Sequence, residues 1–126
     1  MEENEMAKII VDTAFRIHKE LGPGLFESVY ESVLDYELVN EYGLHVLRQS
    51  VLPVVWKEIK PDLGFKPDMI IENKVILELK SVEVLLPVHY KQLLTYLKLT
   101  DLKLGLLINF NEALIKNEIK RIVNGL

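Results

Sequence analysis

Residues 75–81 read VILELKS, where Glu78 and Lys80 interrupt the aliphatic run of Val75, Ile76, Leu77 and Leu79. Burying a carboxylate or an ammonium is costly unless the charge is paired, neutralised or bound to a metal. A third charge lies upstream, Asp68 in FKPDMIIE. If the two stretches form a hairpin symmetric about Asn73, Asp68 falls directly across from Glu78. Alternation then puts Asp68, Ile70, Ile76, Glu78 and Lys80 on one face and Met69, Ile71, Val75, Leu77 and Leu79 on the other. Facing residues of such a pair have Cβ atoms ~4.5–5.5 Å apart. Two carboxylates that close repel unless a cation or a proton sits between them. The chemistry suggested is a hard divalent cation such as Mg²⁺, held by oxygen ligands and able to polarise a phosphoryl oxygen. Lys80 on the same face could stabilise charge developing there. A register slip of one residue would move Asp68 to the opposite face. The rival reading is a salt bridge among these charges on a solvated sheet face, and spacing alone favours neither.

The elements that must position these residues follow from the hydrophobic periodicity. Residues 5–21 place Met6, Ile9, Ile10, Ala14, Ile17 and Leu21 at helical spacing, and Gly22-Pro23-Gly24 ends that helix. A second helix is predicted over 26–42, with Val29, Tyr30, Val33, Leu34 and Leu38 inward and Gly43 as its stop. Strands are predicted at 44–49, 51–59, 65–72 and 74–81, the second near an edge because of Pro53. Residues 87–99 return to a helix with Pro87 at its start and Tyr90, Leu93, Leu94 and Leu97 as its stripe. Residues 103–110 read as a buried strand, and 113–123 as a closing amphipathic helix. That order predicts an α+β or α/β domain with a mixed sheet flanked by helices.

Composition bounds the reading. One domain over residues 1–126 is expected, with 49% hydrophobic and 27% charged residues. No apolar run approaches the ~18–20 residues of a membrane span. The start, MEENEMAK, is acidic and unlike a secretory signal, so a cytoplasmic protein is expected. With no cysteine there is neither a disulfide framework nor a thiolate metal site. The net charge of −4 argues mildly against broad binding to phosphates, which favours a basic surface.

Pro67-Asp68, followed after nine residues by Glu78-Leu79-Lys80, resembles the PD-(D/E)XK motif of the restriction-endonuclease-like nucleases. The surrounding sequence adds specificity. In LGPGLFESVYE (21–31), Gly24, Glu27 and Tyr30 have the spacing that names the GxxExxY protein family. HYKQLLTYLK (89–98), LGLLINF (104–110) and KRIV (120–123) resemble that family's later segments. The resemblance implies an αβββαβ core and a nuclease dependent on Mg²⁺ or Mn²⁺ that hydrolyses phosphodiesters of nucleic acid, DNA ahead of RNA. It implies that Asp68, Glu78 and the backbone carbonyl of Leu79 ligate the metal, with Glu27 joining directly or through water. Lys80 would be the motif lysine. Gln92 and Tyr96 would belong to a Gln-and-Tyr helix motif lining the cleft.

Each residue also has a plainer reading. Glu27 suits the first turn of a helix, where the dipole favours an acid. Tyr30 is expected to line the cleft, packed with its hydroxyl bonded near the site, and Glu31 to be a solvated helix residue. His89, Gln92 and Tyr96 share a helical face that could meet the cleft, with His89 equally at home on the surface. His18 and His45 lack partners at ligand spacing and are expected to be structural. Lys66, Lys91 and Arg48 could touch a phosphate backbone or be ordinary solvated charge. Trp56 is expected in the core or at an interface. The leading alternative to the enzyme is a catalytically silent nuclease-fold module that binds nucleic acid or a protein, for instance as a homodimer. A hydrolase of small phosphoesters ranks last, since the chain leaves little room for a capping domain.

Overall fold

The aliphatic run around Glu78 forms the middle strand of a five-stranded sheet in a computed structural model, which describes Met1–Leu126. Two helices come first, α1 (Glu3–Leu21) and α2 (Glu27–Tyr42). The strands β1 (Val46–Arg48), β2 (Met69–Ile71) and β3 (Val75–Lys80) follow. Then come α3 (Pro87–Thr100), β4 (Leu104–Asn109), a 3-10 turn (Ile115–Glu118) and β5 (Ile119–Val123). The sheet order is β1-β2-β3-β4-β5, parallel only between β3 and β4, with α3 as the crossover. The molecule is an α+β fold with a mixed sheet, and α2-β1-β2-β3-α3-β4 is the αβββαβ order of a restriction-endonuclease-like fold.

The hairpin register is the one expected. Met69 pairs with Leu77, Ile70 with Ile76 and Ile71 with Val75, which centres the turn on Asn73. The Lys74 N–H closes the turn on the Ile71 carbonyl at 2.9 Å. Asn73 takes the left-handed conformation, as its short polar side chain allows. Glu72 takes it too, which its side chain does not announce. It is held there by His45, whose N–H donates to Glu72 Oε2 at 2.7 Å and whose carbonyl accepts the Glu72 N–H at 2.8 Å.

Alternation sorts the sheet into two unequal cores. On one face α1 and α2 complete a cluster of 19 buried residues that includes Met69, Ile71, Val75, Leu77 and Leu79. On the other, Ile70 and Ile76 meet Leu93 and Leu97 of α3 and Leu107 of β4, five buried residues in all. Gly105 allows that approach, because a Cβ there would stand 2.9 Å from Leu93. Helix ends fall where the glycines predict: α1 stops at Gly22 and α2 at a left-handed Gly43.

Four expectations are corrected. Residues 51–59 form no strand: 50–66 is an excursion held by single bridges, Leu52 to Phe65 and Trp56 to Ile59. Its apolar residues lack a sheet neighbour, and Trp56 is 65% exposed rather than part of the core. Residues 113–123 are not a helix. The open edge of β4 needs backbone partners, and β5 supplies them, while Ile119 and Ile122 pack on opposite faces of the sheet. That three-residue spacing, read as one helix face, is two faces of a strand. Leu21 and Val29 are exposed, since α1 and α2 present their neighbours inward instead.

Candidate functional site

The acids meet where the hairpin ladder ends. One step beyond Met69–Leu77, the same register brings Asp68 opposite Glu78. There the ladder gives way to side chains: the Asp68 N–H donates to Glu78 Oε2 at 3.0 Å, and the Leu79 N–H donates to Asp68 Oδ2 at 2.8 Å. Each acid caps a peptide that has lost its strand partner. Successive peptides point to opposite sides of a strand. The Lys80 carbonyl accepts the Phe110 N–H on the β4 side, so the Leu79 carbonyl is directed with its own N–H toward Asp68.

Burial and charge make this an uneasy pair. Glu78 is only 4% exposed. Burial first, and then the neighbouring Asp68, push its carboxyl up to about 9 from the ordinary 4.5, against the pull of Lys80. Tyr96 on α3 responds to the same charges. Partial burial, then Glu78 and Asp68, hold its phenol above the usual range. His89 is held below its usual range, first by burial and then by the Lys80 ammonium. His89 and Tyr96, at the two ends of that α3 face, both feel the charges of the site. Gln92, between them, is exposed.

Glu27 enters from the first turn of α2. Its carboxyl is raised by partial desolvation, lowered by Lys80 and raised again by Asp68 and Glu31, so it shares their field. It does not close with Asp68 and Glu78 into a cluster of three acids at metal-holding distance. Tyr30, expected to line the cleft, is fully buried in the larger core, its ring stacked 4.3 Å from that of Phe110. Its hydroxyl donates to the Gly22 carbonyl at 2.5 Å and accepts the Leu25 N–H at 3.2 Å. Tyr30 thus braces the turn that delivers Glu27. Ser81 Oγ donates to the Leu25 carbonyl at 2.8 Å, joining that turn to the end of β3.

The oxygen donors fit a hard divalent cation. Two carboxyl groups meet at the end of one hairpin, and burial together with Asp68 opposes the ionisation of Glu78, a cost that a bound cation would offset. The largest cleft, about 530 Å³, lies elsewhere, between Phe15, His18 and Gly22 on one side and Leu114 and Ile115 on the other. It contains none of these acids.

A family model of the PD-(D/E)XK nuclease superfamily matches residues 4–122. The chain belongs to that superfamily. No curated protein and no solved structure matches it significantly. Asp68, Glu78 and Lys80, whose spacing resembles that superfamily's motif, stand at the ladder's end, on the side of the smaller core. No helix of the chain is long and apolar enough to cross a membrane.

Three residues around Asp68 and Lys80 were not legible in advance. Glu31 is no solvated helix residue. It is 5% exposed, accepts Arg48 Nε at 3.0 Å and Gln49 Nε2 at 2.7 Å. Its only signal was the i, i+4 spacing from Glu27, one face of α2. Gln49 reaches Asp68 through a β1–β2 pairing that spans the whole 50–66 excursion, so no local pattern marks it. Asn109, fully buried, bonds both the N–H and the carbonyl of Val82 and fixes the chain as it leaves Lys80. Of the cations proposed for phosphate, Arg48 is engaged by Glu31, Asp35 and Ser32, while Lys66 and Lys91 are exposed. His18 is structural as expected, with Nε2 2.6 Å from the Glu112 carbonyl oxygen.

Proposed function

We propose that this chain is a cytoplasmic, single-domain nuclease of the GxxExxY branch that hydrolyses DNA phosphodiesters with Mg²⁺ or Mn²⁺. The observation that carries the reading is the placement of Asp68 against Glu78, hydrogen-bonded at the end of the ladder and on one face with Lys80. Asp68, Glu78 and the Leu79 carbonyl would hold the cation, and Glu27, which does not close with the two acids, would join through water. When bound, it supplies Lewis-acid polarisation of a phosphoryl oxygen and a lowered pKa for water. The hairpin holds the acids in place through the Asp68 and Leu79 N–H groups. Lys80 stabilises the charge that gathers on the phosphate and orients the attacking water. Gln92 helps position the site from α3, beside Tyr96.

Cleavage of single- and double-stranded DNA and RNA with Mg²⁺ or Mn²⁺, compared between wild type and Asp68→Ala or Lys80→Ala, tests the reading. Loss in both variants supports it, and activity surviving both overturns it. The second reading, a silent nuclease-fold module that binds nucleic acid or a protein, as a homodimer for example, draws on the net charge of −4 and on the engagement of Arg48 by acids. Calorimetry that finds no divalent-ion binding by the folded chain would favour it.

A further inference from the structure

We infer that Gln49 is a positioning residue for Asp68, and that Glu31 and Arg48 hold it to that task. The inference builds on the reading of Asp68 as a metal ligand. The register Arg48–Met69 between β1 and β2 sets Gln49 opposite Asp68. Gln49 is bonded to Asp68 twice: its backbone N–H donates to the Asp68 carbonyl at 3.0 Å, and its Nε2 donates to Oδ1 at 3.2 Å. The same Nε2 donates to Glu31 Oε1 at 2.7 Å. A primary amide nitrogen has two hydrogens, so bridging two carboxylates uses both. The reversed amide would set a carbonyl oxygen against both acids, which fixes its orientation.

Glu31 anchors the bridge. Its second oxygen accepts Arg48 Nε at 3.0 Å, and the guanidinium also reaches Ser32 Oγ at 3.0 Å. An ion pair on the flank of α2 is thereby linked through one neutral amide to the acid of the motif. Asp68 is clamped from two sides, by Gln49 on Oδ1 and by the Leu79 N–H on Oδ2. Its carboxylate orientation is set before any ligand arrives. An independent observation points the same way. Gln49 has φ +49°, a left-handed backbone that favours glycine or asparagine. Neither of those side chains has the length to bridge Asp68 and Glu31. A long side chain thus sits where the backbone prefers a short one, as happens where a site holds backbone strain.

Residues that orient a metal's ligands typically change affinity about 10–100-fold when replaced. Two full-length variants test the inference. Gln49→Asn suits the left-handed backbone and keeps the amide but is one methylene short. Gln49→Met keeps the length and loses both donors. In the metal-free protein, the Leu79 amide should exchange its hydrogen faster in both, with the Val75–Leu77 amides unchanged. Mn²⁺ affinity measured by calorimetry should fall about 10–100-fold, with the melting temperature little altered. Unchanged Leu79 exchange and unchanged Mn²⁺ affinity in both variants would overturn the inference, and a wild type that still cleaves would leave the nuclease reading standing. If the wild type binds no Mn²⁺ while Leu79 exchange still rises in the variants, the metal reading falls and the positioning of Asp68 stands.

Discussion

The two faces of the sheet share strands and even neighbouring residues, yet they differ in what they can afford to expose. Behind β3, Val75, Leu77 and Leu79 enter a core of 19 buried residues sealed by α1 and α2. In front, Ile76 enters a core of five, covered by α3 and by partly buried residues such as Leu52, Tyr90 and Tyr96. Glu78 and Lys80 continue that thinner face. A face covered by one helix is narrow enough to leave Asp68 and Lys80 half-buried at its end, with Glu78 buried beside them. A face covered by two helices has no such gap. Stability is concentrated behind the sheet, and the charges that could do chemistry stand at the margin of the front.

That contrast can be broken most directly by truncation. Leu77→Ala should cost about 4 kcal/mol in chemical denaturation, because the sealed core cannot collapse around the void. Ile76→Ala, equally buried but beside partly exposed neighbours, should cost about 2 kcal/mol. Equal losses would remove the distinction. A charge change should then act on chemistry and spare the fold: Lys80→Ala should slow Mn²⁺-dependent DNA cleavage about 100-fold with its melting temperature nearly unchanged.

The next effect inverts the usual sign. In metal-free protein the carboxyl of Glu78 titrates at about 9, against 4.5 when unfolded. Between those values the folded chain holds a proton that the unfolded chain has released. Stability therefore falls as pH rises through that window. Glu78→Gln should remove the loss, raising metal-free stability by about 2 kcal/mol at pH 8 and by little at pH 4, while abolishing Mn²⁺ binding. Denaturation in EDTA at the two pH values reads this directly. The smallest change probes the rear of the site: Tyr30→Phe, which loses the bonds to Gly22 and Leu25, should cost about 1 kcal/mol and leave Mn²⁺ affinity within a few-fold.

The hairpin about Asn73 could be read from the sequence because its pieces are local. A turn of three residues between two aliphatic stretches fixes the register, and with it the facing of Asp68 and Glu78. Helix ends at Gly22 and Gly43 were legible for the same reason, since a glycine taking positive φ acts at its own position. β5 and the 50–66 excursion were not legible. Residues 113–123 carry a period compatible with a helix until β4 offers an edge. Residues 51–59 have strand composition but no strand beside them.

The division runs through the site itself. The sequence alone determined the two acids, the lysine and the face they share, because alternation and a short turn leave one arrangement that keeps the aliphatic residues inside. Only the tertiary structure decided that Glu31 is buried, that Tyr30 braces the turn before Glu27, and that Gln49 clamps Asp68. Those contacts join segments 8 to 19 residues apart, through pairings set by the packing of whole elements. Local chemistry names the reactive groups, and long-range packing fixes how each one is held.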